Sequence, residues 1–178
     1  ATGEEAYSLA ILIDEAVSKS QKSVRFKIFA TDIDREALEK ATQGIYPQTI
    51  ANEINPERLE RYFVRKDNSL QVIRKLREKL LFAPHDITKD AGFTRMDLIS
   101  CRNVLIYLQS DLQQQVLRNL HFSLTSKGIL FLGEAETLGY IEPEFQHLDK
   151  KNKIYQKRRD IRLNMPVKGI EKISRQLV

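Results

Sequence analysis

The sequence contains one cysteine, Cys101, so no disulfide can close within it. That usage suits a reducing compartment, and the expected location is cytoplasmic. No apolar run reaches the about 18 residues that a membrane-crossing helix needs, so no membrane insertion is expected. No basic-then-apolar leader stands at the start, so nothing signals export. The sequence has neither a Gly-x-Gly-x-x-Gly fingerprint nor the Gly-x-x-x-x-Gly-Lys-Ser/Thr loop of nucleoside triphosphatases. His85, His121 and His147 are scattered, and no Cys-x-x-Cys or His-x-x-x-His pair exists, so no metal is expected. No Gly-x-Ser-x-Gly elbow is present, which removes support for acyl transfer. There is no internal repeat and no low-complexity block.

What is present is a chain of 178 residues, 42% hydrophobic and 30% charged, enough for a core without covalent staples. The net charge of +5 suggests nucleic acid until it is located. Residues 150–162 hold seven basic side chains and one acid, Asp160, so this stretch alone carries +6 and the rest is near neutral. Only Tyr155 interleaves it, which gives no stacking platform for bases. It reads as a solvated last strand running into a linker, and no nucleic-acid partner is expected.

Helical spacing of Leu9, Ile13, Ala16 and Val17 predicts a helix from Glu4 to about Lys19, with Glu4 and Glu5 in its first turn. Residues 24–30 are β-branched and aromatic and predict a strand ending at Thr31-Asp32. Asp34 caps a short helix closed by Gly44, and Asn55-Pro56 opens another. Strand-like pieces follow at residues 70–74, 80–83 and 96–100. Leu112, Val116, Leu120 and Leu124, four apart, predict a helix from Ser110 to about Thr125, ended by Gly128. A strand over residues 129–132 and a terminal antiparallel pair, 145–148 and 153–156, complete the reading. Alternation of strand and helix predicts an α/β fold with a mostly parallel sheet and an antiparallel carboxy-terminal edge.

In open α/β sheets ligands bind beyond the carboxyl ends of strands. Those ends carry Asp32, Asp86, Cys101-Arg102-Asn103 and Gly133-Glu134. A carboxylate at Asp32 can accept from both hydroxyls of a ribose; the alternative is that it only caps the next turn. Cys101 reads as a small buried residue rather than a nucleophile. Tyr107 lies four residues beyond Asn103, on the same face if the stretch is helical.

Together these residues resemble the CheR-type methyltransferases, which use S-adenosylmethionine to methylate receptor glutamates. The family's cofactor loop is similar to Thr2-Gly3-Glu4-Glu5-Ala6-Tyr7-Ser8, and its ribose segment to Phe29-Ala30-Thr31-Asp32-Ile33-Asp34. Cys101-Arg102-Asn103-Val104-Leu105-Ile106-Tyr107 matches nearly residue for residue. The likeness extends through Gly44-Ile45-Tyr46, Arg61-Tyr62-Phe63, Lys127-Gly128 and residues 133–137, and covers about residues 1–158. Asp97-Leu98-Ile99-Ser100 and Leu148-Asp149-Lys150-Lys151 are similar to the CheR part of CheB/CheR fusion proteins, which carry further signalling domains.

The resemblance implies a Rossmann-like methyltransferase domain over residues 1–160, a small β-subdomain inserted at 46–81, and a linker or tail at 161–178. It implies S-adenosylmethionine as cofactor and S-adenosylhomocysteine as product. Gly3, Glu5, Asp32, Asp86, Ile87, Arg102 and Asn103 would hold the cofactor, with Asp32 on the ribose and Asp86 and Ile87 along the adenine. Tyr107 would face the reacting methyl and the substrate carboxylate, and Tyr107 and Arg102 would be the catalytic residues, Arg102 lying against the cofactor. The partners implied are the helical bundle of a methyl-accepting chemoreceptor and other signalling domains of the parent chain. The family's amino-terminal helical domain and the strand before Gly3 have no counterpart here. That predicts a sheet without its first, central strand and impaired catalysis, and it admits a strand-swapped homodimer. The loop Arg65-Lys66-Asp67-Asn68-Ser69 lacks the glycines of members that dock a receptor tail there. Two other readings compete: a non-catalytic CheR-like scaffold module, and a nucleic-acid methyltransferase suggested by the basic tail.

Overall fold

The computed structural model describes residues 2–161 and 163. Within it the chain forms two compact units that divide between Asp86 and Ile87. The expected tail at 161–178 therefore lies almost wholly outside the described residues.

The first unit opens with helix α1 (Glu4–Ser20). Gly3 stands at its N-cap with φ 96°, a left-handed conformation that only glycine adopts without strain. It also permits a close approach, since a Cβ there would lie 2.9 Å from the Ala41 Cβ and 3.0 Å from the Tyr46 hydroxyl. Tyr7, Ala10 and Ile11 form the buried stripe of α1, packed with Tyr46, Tyr62, Val72, Leu76 and Leu80. Strand β1 (Ile28–Asp32) follows, then helix α2 (Arg35–Gln43). The Asp34 carboxylate accepts from the Ala37 N–H, and Gly44 closes α2 in a left-handed turn, as the sequence predicts. β1 pairs in parallel with β5 (Leu80–Pro84), in register from Ile28 opposite Leu80 to Asp32 opposite Pro84. Strands β2 (Ile45–Pro47), β3 (Phe63–Lys66) and β4 (Ser69–Val72) form a separate antiparallel sheet in the order β2-β4-β3. Helix α3 (Pro56–Tyr62) leads into β3, and the single turn α4 (Arg74–Arg77) into β5.

The second unit is a four-stranded sheet in the order β6-β7-β9-β8. β6 (Met96–Cys101) and β7 (Leu124–Leu132) are parallel, whereas β8 (Phe145–Asp149) and β9 (Ile154–Lys157) add an antiparallel edge. Helix α5 (Ser110–Ser123) buries Val116, Leu117 and Leu120 in the core with Leu130, Leu132, Phe145 and Tyr155. Lys157 is buried in the same unit, its ammonium donating to the Leu124 carbonyl and to Asp160.

Parallel strands and an antiparallel carboxy-terminal edge are thus both present. The parallel pairs lie in two sheets, β1 beside β5 in the first unit and β6 beside β7 in the second. The architecture is α/β with mixed sheets, as expected. Several local expectations need correction. Residues 24–27 are outside the first strand, which starts where the Ile28 N–H donates to the Lys79 carbonyl. The helix beginning at Ser110 has Gln109 at its N-cap and stops at Ser123. Leu124 already pairs with Met96, so Thr125 and Gly128 belong to β7 and Gly128 ends no helix. Of the described basic side chains in the basic segment Lys157 alone is buried, whereas Lys150, Lys151, Arg158 and Arg159 are exposed as expected; Arg159 clasps Glu144 with two hydrogen bonds and Arg158 donates to the Phe145 carbonyl.

Candidate active site

Four of the sequence-predicted site residues lie in the first unit. Glu5 sits exposed in the first turn of α1, where a carboxylate suits the helix dipole. Asp32 ends β1 and is half-buried. Its Oδ1 accepts from the Asp34 N–H at 3.0 Å, and its carbonyl accepts from the His85 N–H at 3.1 Å. Burial pushes the Asp32 carboxyl up; hydrogen bonds, including those from the Asp34 and Ile33 backbone, outweigh this and hold it below the ordinary carboxylate range. Asp86 follows β5 by two residues, so β1 and β5, being parallel neighbours, bring Asp32 and Asp86 to the same end of their ladder. Gly3 is accounted for by its backbone and by its contact with Ala41.

The remaining predicted residues lie in the second unit. Ile87 packs against its core. Cys101, buried as expected, ends β6 opposite Leu132 of β7. Arg102 follows at once, its guanidinium 4.7 Å from the centre of the Phe131 ring, a cation–π contact. Asn103 turns the chain with φ 56°, and Leu105–Tyr107 then form one 3₁₀ turn. Asn103 stands outside that turn, so the shared helical face with Tyr107 is not formed. Tyr107 is 80% exposed, unusual for so large a side chain.

The sequence reading missed Glu136 as an individual. Its side chain is 3% exposed, and its carboxylate accepts from the N–H groups of Val104 and Leu105 at 2.8 Å each and of Gly133 at 2.6 Å. The one sequence signal is a Gly-x-x-Glu step directly after a strand. A cavity of about 160 Å³ in the first unit, lined by Asp14, Arg61, Tyr62 and Lys79 among others, includes none of the strand-end residues. Among the described residues no cluster of three His, Cys, Asp or Glu could hold a metal ion.

The family model described as "CheR methyltransferase, SAM binding domain" matches residues 1–154. The chain is 38% identical over 156 residues to an uncharacterized 104.1 kDa protein of Rhodobacter capsulatus, covering 88% of this chain and 16% of that protein. It is 36% identical over 153 residues to the chemotaxis protein methyltransferase of Escherichia coli K12, covering 81% and 52%. The corresponding Salmonella typhimurium protein is 35% identical over 150 residues, with 81% and 51% covered. The chain thus spans about half the length of these chemotaxis methyltransferases and a far smaller part of the Rhodobacter protein. A match of this extent includes every strand-end residue described above, and the chain belongs to the CheR methyltransferase family, in its S-adenosylmethionine-binding domain.

Proposed function

We propose that this chain is the cofactor-binding and catalytic part of a protein-glutamate O-methyltransferase that acts on methyl-accepting chemoreceptors in the cytoplasm. The observation that carries this reading is Asp32, a half-buried carboxylate at the end of a parallel strand, in a family whose matched domain binds S-adenosylmethionine.

The side chains fit that group. Asp32 offers a carboxylate to the two ribose hydroxyls. Ile87 supplies an apolar wall and Asp86 an acceptor for the adenine. Glu5 and the start of α1 would suit the amino-acid end, and Arg102 and Asn103 would also hold the cofactor. S-adenosylmethionine, when bound, supplies an electrophilic methyl on a sulfonium. Little acid–base chemistry is then asked of the chain: a glutamate substrate, with a pKa of about 4.3, is already a nucleophile at neutral pH. Alignment and exclusion of water are the chain's part. Opposite charges cancel during transfer, so a strongly charged group at the methyl would favour the reactants over the transition state. A neutral Tyr107 hydroxyl beside the substrate carboxylate meets that demand. Its exposure leaves it open to a protein substrate.

Calorimetric titration with S-adenosylhomocysteine tests the site. Binding weakened about tenfold or more by Asp32→Ala supports it, since a lost hydrogen bond to a charged group is worth that much. Binding unaffected by Asp32→Ala rejects it. The substrate is tested with radiolabelled S-adenosylmethionine and a chemoreceptor cytoplasmic domain. Label released as methanol by mild base marks a glutamyl ester, and base-stable label rejects the glutamate reading.

A further inference from the structure

Residues 102–107 carry three of the proposed site residues, yet little packing holds them. Asn103, Val104, Ile106 and Tyr107 are exposed, and only Leu105 is buried. The turn is fixed by hydrogen bonds at its two ends. At its carboxyl end the Gln113 amide donates to the carbonyls of Leu105 and Leu108 at 3.0 and 2.9 Å. At its amino end stands the Glu136 carboxylate. One oxygen accepts from both Val104 and Leu105 N–H groups, the other accepts from Gly133, and the Glu136 N–H returns to the Gly133 carbonyl at 3.0 Å. Short bonds to a carboxylate are the strong kind, and burial strengthens them.

This carboxylate joins the loop after β6 to the loop after β7. The junction leaves no space for a side chain at position 133. A Cβ on Gly133 would lie 2.8 Å from the Asn103 Oδ1, 2.8 Å from the Glu136 Oε2 and 3.0 Å from the Asn103 nitrogen. Asn103 itself has a left-handed φ of 56°, which asparagine tolerates better than other residues with a side chain, so the turn at this position is a defined one. The two bonds from Val104 and Leu105 follow directly after it.

We infer that Glu136 is a positioning residue for the cofactor: by fixing the backbone of Val104, Leu105 and Gly133 it sets the conformation of Asn103 and the direction in which Arg102 and Tyr107 leave the sheet. This rests on the cofactor reading proposed above. It assigns Glu136 no contact with cofactor or substrate.

The test pairs S-adenosylhomocysteine calorimetry with amide hydrogen exchange on the wild-type chain and on Glu136→Ala, Glu136→Gln and Asp32→Ala. In Glu136→Ala the amides of Val104, Leu105 and Gly133 should lose protection while those of β8 and β9 keep it. Affinity should fall about tenfold or more, since small misplacements of binding groups are costly. Glu136→Gln keeps one acceptor oxygen and should fall between, and it carries the test if the alanine variant does not fold. Asp32→Ala should lose affinity with those three amides unchanged, which a purely structural role of Glu136 would not mimic. Unchanged affinity in a Glu136 variant whose three amides exchange freely overturns the inference and leaves the site standing. A wild-type chain that does not bind S-adenosylhomocysteine overturns the site and the inference together.

Discussion

The Lys79 ammonium lies 2.5 Å from the Asp14 carboxylate, tying the residue before β5 to the middle of α1. Asp14 also accepts from the Tyr62 hydroxyl at 3.0 Å and faces Arg61. Burial pushes the Asp14 carboxyl up, and these donors together bring it below its ordinary value. Asp14→Asn would leave Lys79, Tyr62 and Arg61 facing a neutral amide. The expected loss of stability is about 1–3 kcal/mol, the range for a partly buried charged hydrogen-bond acceptor. Urea unfolding followed in the first unit measures it; a loss too small to detect would show the cluster to be ornamental.

His121 is 1% exposed, and its Nε2 has no hydrogen-bond partner among the described residues. Its ring meets Phe145 edge-on at 5.6 Å. Burial and then the Lys157 ammonium push its pKa down to about 4; Glu144 and Asp160 oppose this. The folded chain therefore binds this proton less readily than the unfolded chain, whose histidine titrates near 6.5. Stability from this group is complete above about pH 6.5, and it falls as the pH drops toward 4, by at most about 1.4 kcal/mol per pH unit. Thermal unfolding of the wild type and of His121→Leu between those limits checks the sign. The leucine variant should show the flatter dependence above the carboxylate range.

Tyr107 provides a separation of folding from chemistry. At 80% exposure its hydroxyl contributes little to stability, and Tyr107→Phe should shift unfolding by less than about 0.5 kcal/mol. Under the proposed mechanism the same change should lower methyl transfer by about a hundredfold, the usual effect of removing one positioned donor. A variant that unfolds normally and transfers normally would remove Tyr107 from the chemistry.

Gly3→Ala should destabilise the first unit by about 1–3 kcal/mol through a strained left-handed residue and a methyl forced against Ala41. The circular dichroism melt should drop accordingly, whether or not cofactor is added. If the variant melts like the wild type, the tight approach of α1 to α2 must relax freely.

The elements that the sequence discloses are those whose signals are local. Asp34 and Gly44 bracket the nine residues of α2, and the pair Asn55-Pro56 opens α3. The end of α5 was hidden because Leu124 continues the helical spacing of Leu120, yet its backbone is taken by pairing with Met96, 28 residues away. The same applies to the site. Asp32 and Arg102 are visible because the first ends a strand and the second directly follows one. Glu136 is not, because no spacing tells which backbone N–H groups a carboxylate will serve 31 and 32 residues upstream.

The enclosed ammonium of Lys157 has a consequence for covalent labelling. Its side chain is fully buried and its nitrogen donates to the Leu124 carbonyl and to Asp160. An amine-acylating reagent should therefore mark the exposed Lys150 and Lys151 well before it reaches Lys157, and early acylation of Lys157 would report opening of the second unit.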